Sequence, residues 1–594
     1  MRYSGWVALA IGLAWSPSQT LAVDPAVIAA ERERIQVMSR VAPSVVAIFA
    51  GDGNGGGSGV LISPDGYALS NYHVTSGSGN FMKCGLNDGS LNDAVIVGID
   101  PTGDVALIKL LNRQDYPYAV FGDSDRVQVG DWVFAMGNPF LLATDYSPTV
   151  TYGIVSGVHR YQYPAGTILE YADCIQVDAS INPGNSGGPL FNGRGELIGI
   201  NGRGSFDKRG RVNSGAGYAI SINQIGLFLD ALKSGRVVDH ATLGATVRTS
   251  SDRTVVIDKI LENSDAYRRG LREGDEIVSF AGRPVGSVNQ FKNALGIFPK
   301  GWTVPLVYRR EGAKHEIYVM LRGLHRQSEL APRRAPRPGP DEEPEQPPPG
   351  EDEQPGQDQP KQDEPRPREK RRAPPSGHPV AEIPEEFRQW FEEKDGFANF
   401  HFNKLELDRV WRAMTAYDSW KAVSGRWKLT GKTAAGAEFA ATLADQGVGL
   451  TIGQTPYFQA LDDGADPQDE PPGSGGLLMA LHHFRLLLTR GREAFSDFYY
   501  LGSEPLDGRG ELVDVLVSRK DGIETRWYVR RSQPRLVGFD CQLSADTDPA
   551  KIRWLEEGQF AGRLFPAQFQ AQSGDRLFAT FLVETLEVAA GGTP

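Results

Sequence analysis

Three short segments carry residue types that can do acyl-transfer chemistry. The first is Asp178-Ala179-Ser180-Ile181-Asn182-Pro183-Gly184-Asn185-Ser186-Gly187-Gly188-Pro189-Leu190, where Ser186 stands among glycines. A strand is expected over 174–179 before it and another over 196–201 after it, so the spacing predicts a tight exposed turn that presents a hydroxyl. Acyl transfer needs an unhindered oxygen nucleophile and backbone N–H groups aimed at the oxyanion that develops. Gly184 permits a backbone that turns such groups inward, and Gly187 and Gly188 allow close approach. The plain alternative is a glycine-rich turn with an incidental serine. Two upstream segments weigh against it. Ser70-Asn71-Tyr72-His73-Val74 places a histidine at the end of a strand expected over 67–70, and Asp100-Pro101-Thr102-Gly103-Asp104 leads an acid into an apolar strand over 105–110. Nucleophile, base and orienting acid are thus all present.

The chain order His73, Asp104, Ser186 is that of the chymotrypsin-like arrangement and not of other serine-hydrolase folds. The segments GSGVLISPDGYALSNYHVT, DPTGDVALIKL, FGDSDRVQVGDWVFAMGNPF, TVTYGIVSGVHR and DASINPGNSGGPLFNGRGELIGI closely resemble the protease domain of the HtrA/DegP serine proteases, over about residues 34 to 232. The resemblance implies a double barrel of six antiparallel strands each, with His73 and Asp104 in the first and Ser186 in the second. It implies an oxyanion hole on the turn Gly184, Asn185 and Ser186, with Gly184 and Ser186 as donors. The specificity pocket would be lined by Ile181, Ile200, Asn201, Gly202 and Ala216. Relatives often carry a larger aliphatic at the position of Ala216, so a wider pocket and cleavage after medium to large apolar residues are expected. Arg160 matches the arginine that couples a sensor loop to the oxyanion turn, although a surface arginine is otherwise simply solvated. The loop over 205–213 is charged and polar, with an open role. A homotrimer and a cofactor-independent, metal-free reaction are further implications of the resemblance.

The elements that must position these residues follow from the rest of the chain. Apolar residues at Val27, Ile28, Ile35, Met38 and Val41 predict a helix over 26–41, before a strand over 44–50. Short β runs over 255–260, 276–280, 303–308 and 314–321 enclose Ser264-Asp265-Ala266-Tyr267-Arg268-Arg269-Gly270-Leu271-Arg272-Glu273-Gly274-Asp275, which looks like a PDZ domain. Such a domain takes a peptide as an added edge strand and captures its C-terminal carboxylate on backbone N–H groups. The loop for this would be Thr242, Leu243, Gly244 and Ala245, with Phe291 and Leu295 shaping the apolar pocket. A scaffold domain with a blocked groove is the alternative.

At 594 residues the chain is too long for one core. The expected division is 1–22 signal peptide, 23–236 protease, 240–323 PDZ, 327–379 disordered linker and 381–594 a further domain. Arg2, the apolar run from Trp6 to Trp15 and the small residues of Thr20-Leu21-Ala22 read as a secretory signal cleaved after Ala22, with an uncleaved anchor as the weaker alternative. Net charge of -12 argues against nucleic-acid partners. Cys84, Cys174 and Cys541 are odd in number and are expected as small buried hydrophobes, though a Cys84–Cys174 pair is left open. Fifteen of the 39 prolines fall in 332–379, mixed with charge, so that stretch cannot bury enough apolar surface to order itself. Beyond it, alternating runs over 425–430, 438–444, 448–452, 512–517, 524–529, 536–542, 564–570 and 577–586, with an apolar helix over 477–488 and another over 384–391, predict an α+β domain with an antiparallel sheet. Successive strands of the form VDVLVSRKDGIETRWYVRRSQPRLVGFD faintly resemble the open half-barrels of periplasmic lipoprotein-carrier proteins. His482 and His483 are adjacent on the helix, point about 100° apart and are expected to be structural rather than metal ligands.

The chain therefore reads as mostly β: an exported, periplasmic or cell-envelope serine endopeptidase that cuts unfolded or damaged proteins, with C-terminal peptides bound at its PDZ domain. A regulatory protease gated by a PDZ ligand, and a chaperone or peptide-binding scaffold with an idle site, are the alternatives.

Overall fold

A computed structural model describes residues 24–49, 56–138, 145–162, 168–182, 184–206, 213–330, 385–421, 423–461 and 466–589. The expected signal segment and nearly all of the expected linker lie outside these residues. Helix Pro25–Val41 is capped by the Asp24 carboxylate, which accepts from the Ala26 N–H at 2.8 Å. Two closed barrels follow. The first runs in the order Val45–Phe49, Gly56–Leu61, Tyr67–Ser70, Val105–Leu110, Leu91–Asp100 and Phe81–Leu86. The second runs Pro189–Asn192, Leu197–Phe206, Asn213–Ser221, Tyr171–Val177, Thr149–Gln162 and Trp132–Gly137. Closure satisfies both edges of each sheet, and apolar residues of strands such as Val105–Leu110 fill the interiors. His73 lies one step beyond the expected strand, on the helical turn Tyr72–Thr75.

The next sheet has the order Ala245–Thr249, Val255–Ile260, Glu276–Phe280, Thr303–Arg310, Ala313–Met320, with helix Val288–Gly296 beside it. Ala245–Thr249 is an edge strand, paired on one side only, by Val255–Ile260. Helix Val288–Gly296 is docked on the second barrel. The Asn293 amide donates to His159 O at 2.7 Å and accepts from the Asp173 N–H at 2.9 Å. Buried His240 faces two acceptors, Asp100 Oδ2 at 2.8 Å and Gly296 O at 2.5 Å, so both of its ring nitrogens donate. Burial works against the charged ring, but Asp100 outweighs it and the His240 pKa is raised.

The folded part extends further than the expected boundary at 327: Gln327–Leu330 forms a helical turn, and buried Leu330 joins the core of the first barrel. Glu385–Trp390 is a 3-10 helix rather than an α-helix. The C-terminal sheet has eleven antiparallel strands in the order Thr455–Ala460, Gly447–Ile452, Glu438–Leu443, Arg426–Thr433, Arg576–Ala589, Arg563–Ser573, Ala550–Phe560, Leu536–Gln542, Ile523–Arg530, Leu512–Lys520 and Asp497–Pro505. Helix Leu477–Arg490 is buried against it along Leu477–Leu488. This domain is fastened to the two barrels: Phe402 lies in their shared core, Asn399 Nδ2 donates to Ile96 O at 2.9 Å, and Asn403 Nδ2 donates to Ser234 O at 3.1 Å. It also meets the middle sheet, where Arg269 pairs with Asp548 and Arg526 Nη1 donates to Gly301 O at 3.1 Å. All three cysteines are free and buried.

His482 and His483 are both buried, and His483 Nδ1 is 2.7 Å from Thr525 Oγ1. Burial holds their pKa values down to about 4 and about 3. The unfolded chain protonates such rings near 6.5, so below that pH it binds more protons than the folded chain and stability falls. Each unit of separation is worth about 1.4 kcal/mol, so the two rings together are expected to cost several kcal/mol by pH 4. A melting series from pH 7 to 4 checks this, and the His482→Gln/His483→Gln double variant should flatten the slope.

Candidate active site

His73, Asp104 and Ser186 converge at the junction of the two barrels. Asp104 has φ of 58° on the tight turn ahead of Val105–Leu110, which sends its carboxylate back under the histidine. It is wholly buried. Its Oδ2 lies 2.7 Å from His73 Nδ1, and its Oδ1 accepts the His73 backbone N–H at 2.9 Å. The Asn71 amide donates to its carbonyl at 2.9 Å. The Tyr171 hydroxyl donates to Oδ2 as well. Burial opposes a charge on His73, but the hydrogen bond and the charge of Asp104 outweigh it, and the His73 pKa is raised. His73 is 42% exposed at its side chain, open to a bound chain.

Ser186 is half-buried on the turn between the barrels, and its Oγ donates to Gly202 O at 3.2 Å. Among the described residues no hydrogen bond joins Ser186 to His73. Such contacts commonly tighten only with substrate. Gly184 has φ of +101°, a conformation that favours glycine. Asn185, the middle residue of the expected oxyanion turn, has its N–H spent on Asn182 O at 2.9 Å, which leaves Gly184 and Ser186 as the expected donors. The N–H groups of Gly184 and Ser186 have no backbone partner among the described residues. Ser58, which sequence reasoning missed, holds this turn from the other barrel. Its Oγ donates to Gly184 O at 2.6 Å and accepts from the Asn138 N–H at 2.9 Å, while its own N–H donates to Ser186 O at 2.9 Å. The sequence places Ser58 in a glycine-rich strand with nothing to mark it.

The expected pocket residues divide. Ile181 packs against Gly217, where a Cβ would stand 2.5 Å from its Cγ1. Ala216 is half-buried and Gly202 buried. Ile200 points into the barrel core, and buried Asn201 donates to Pro189 O at 2.9 Å. Arg160 is exposed and its Nε donates to Gln176 Oε1 at 3.1 Å; among the described residues no hydrogen bond joins it to the turn of Gly184 and Ser186. The neighbouring His159 is the residue in contact with the docked helix. In the middle sheet Leu243 and Phe291 are core residues, with Phe291 edge-on to Phe280. Gly244, with φ of +72°, and Ala245 lie at the start of the open edge strand, and Leu295 is only partly buried beside it.

The arrangement brings a serine hydroxyl and a histidine paired with a buried acid to one junction, the residue types that acyl-transfer chemistry uses. A trypsin-like peptidase domain is matched over residues 57–200 and a PDZ domain over residues 241–321. The probable periplasmic serine endoprotease DegP-like of Chlamydia trachomatis is 36% identical over 276 residues, 45% of this chain and 53% of that protein. The periplasmic serine endoprotease DegP of Escherichia coli is 35% identical over 290 residues, 45% of this chain and 59% of that protein. A solved structure titled HtrA-type protease AlgW with tripeptide is 30% identical and covers 49% of this chain and 96% of its own, with a TM-score of 0.41. The chain spans a little over half the length of the curated relatives it matches, and the two domain matches end at residue 321, ahead of the eleven-stranded C-terminal sheet. The chain thus carries a trypsin-like peptidase domain followed by a PDZ domain, and over part of its length it is similar to DegP-type serine endoproteases.

Proposed function

We propose that the chain is an exported, ATP-independent serine endopeptidase that cleaves unfolded or damaged proteins, with C-terminal peptides recognised at the PDZ edge strand. The observation that carries this reading is the convergence of Ser186, His73 and buried Asp104 across the barrel junction. Ser186 Oγ attacks the scissile carbonyl carbon while His73 Nε2 takes its proton, and Asp104 holds the imidazolium that forms. The oxyanion rests on the N–H groups of Gly184 and Ser186, each such donor being worth about 3 kcal/mol of barrier. His73 then protonates the leaving amine. Water, activated by the same histidine, hydrolyses the acyl-enzyme and regenerates Ser186. The periplasm is the compartment named for the relatives. The trimer implied by the resemblance is part of the same proposal, and light scattering of the chain from Val23 checks it.

The experiment that tests this reading compares the chain from Val23 with its Ser186→Ala variant. Each is incubated with an unfolded protein and, separately, with a serine-reactive phosphonate. Cleavage and labelling by the intact chain alone support the peptidase; neither activity, with PDZ-binding peptides present, transfers the reading to a chaperone or scaffold. A second reading, a protease gated by PDZ ligand, is favoured by the Ser186 hydroxyl resting on Gly202 O and by Arg160 making no hydrogen bond to the oxyanion turn among the described residues. Labelling or cleavage that appears only on peptide addition would support it.

Because only neutral His73 can accept the serine proton, kcat/KM is expected to rise with pH. Its midpoint should lie above the ordinary histidine value of about 6.5, since Asp104 raises the His73 pKa. A pH–rate profile checks this. At Ala216, a leucine should narrow the pocket and lower kcat/KM for large apolar side chains about 10- to 200-fold, relative to alanine at the cleaved position. Sequencing of cleavage sites checks that shift.

A further inference from the structure

We propose that Tyr171 is a positioning residue for this reaction, its phenol fixing the Asp104 carboxylate laterally while His73 fixes it along the axis of proton transfer. The inference rests on the serine-peptidase reading above. Tyr171 opens the strand Tyr171–Val177 and is 4% exposed. Its hydroxyl donates to Asp104 Oδ2, the same oxygen that faces His73 Nδ1 at 2.7 Å. Asp104 belongs to the first barrel and Tyr171 to the second, the barrel that carries Ser186. This one hydrogen bond therefore ties the acid to the half of the molecule that holds the nucleophile. The Tyr171 ring is itself wedged against Gly202, where a Cβ would stand 2.7 Å from ring Cε1, and Gly202 O is the acceptor of the Ser186 hydroxyl. Phenol and ring thus touch the surroundings of both ends of the catalytic line.

The two residues that follow bind the PDZ helix. A Cβ at Gly296 would meet Ala172 Cβ at 2.8 Å, and the Asp173 N–H donates to the Asn293 amide at 2.9 Å. The Asp173 carboxylate takes His159 at 2.6 Å and Arg283, from the PDZ sheet, at 3.0 Å. Tyr171 is held in place by this junction, which gives its phenol a fixed point from which to hold the acid. A tyrosine that merely filled the core would do as well with phenylalanine, and that difference makes the inference testable.

The test compares the full chain from Val23 with Tyr171→Phe, which keeps the ring and loses only the donor. The expected loss in kcat/KM is about 10- to 100-fold, the range for a buried hydrogen bond to a charged group, and it falls on kcat with KM little changed. The acid limb of the pH–rate profile moves to higher pH, because Asp104 relieved of one donor holds the His73 imidazolium more strongly. The downfield proton resonance of the His73–Asp104 hydrogen bond shifts with it, while the melting temperature stays within a few degrees. An active wild type with a Tyr171→Phe variant of the same rate, acid limb and resonance overturns this role alone. A loss confined to KM or to melting, with the acid limb unmoved, overturns it too and makes Tyr171 structural. A wild type that neither labels with phosphonate nor cleaves overturns the peptidase reading itself.

Discussion

Asp104→Asn is expected to lower kcat/KM about 10⁴-fold while leaving the protein folded. The reason lies in which atoms around the carboxylate can accept. Oδ1 receives the His73 backbone N–H, and Oδ2 faces both His73 Nδ1 and the Tyr171 hydroxyl. An amide at 104 must place its NH2 on one side. Facing the backbone N–H it would set donor against donor, at a site with no access to water. Facing Nδ1 it can be satisfied, because an imidazole nitrogen and a phenol oxygen can each accept. The second orientation wins, and it moves the histidine proton to Nε2, where the ring can no longer take the proton of Ser186. Asparagine tolerates the positive φ of 58° that position 104 requires, so the backbone turn survives. Steady-state cleavage of an unfolded substrate gives the rate, and an unchanged melting temperature separates the chemical loss from unfolding.

Gly187→Ala should have the next largest effect. Position 187 has φ of +83°, and a Cβ there would stand 2.2 Å from Ser58 O and 2.4 Å from Ser70 Oγ. The nearer atom is backbone of the facing barrel and cannot swing aside. Either the turn carrying Gly184 and Ser186 or the strand Gly56–Leu61 must move. That strand also carries Ser58, whose hydroxyl holds Gly184 O, so both movements displace the oxyanion donors. A displacement of about 1 Å costs roughly 10²-fold in rate, and the steric strain should remove about 3 kcal/mol or more of stability. Phosphonate labelling should fall at least about 10²-fold, with a melting transition several degrees lower. Labelling at the wild-type rate would mean that the turn has slack which these distances do not show.

How much of the site was legible in the sequence depends on how local each contact is. Ser186 with its glycines, His73 after a short strand and Asp104 before an apolar one could each be read in place, because nucleophile, base and acid are marked by residue type and by neighbours within a few positions. The two barrels were legible through the resemblance of whole segments to a known family, and the short β runs of the middle sheet through their residue pattern. The C-terminal sheet was legible in eight of its strands. Thr455–Ala460 and Asp497–Pro505, missed from the sequence, are the two edges, where Pro456 and a polar start break the pattern. Ala550–Phe560 was missed as well, since its exposed half carries charge.

By itself the sequence determined the type of chemistry, the order of the units and the class of fold, since all three are written in short-range pattern. Only the tertiary structure decided what holds the chemistry in place. Tyr171 reaches Asp104 across 67 positions and Ser58 reaches Gly184 across 126, and neither residue type is unusual where it stands. The tertiary structure likewise decided that Arg160 faces Gln176, that Asn293 docks on His159 and Asp173, and that Phe402 belongs to the protease core. Each of these contacts joins segments that meet only when two barrels, a PDZ sheet and an eleven-stranded sheet bury their faces against one another. Burial is a property of the packed chain, and a residue's neighbours in sequence do not state which distant segment will cover it.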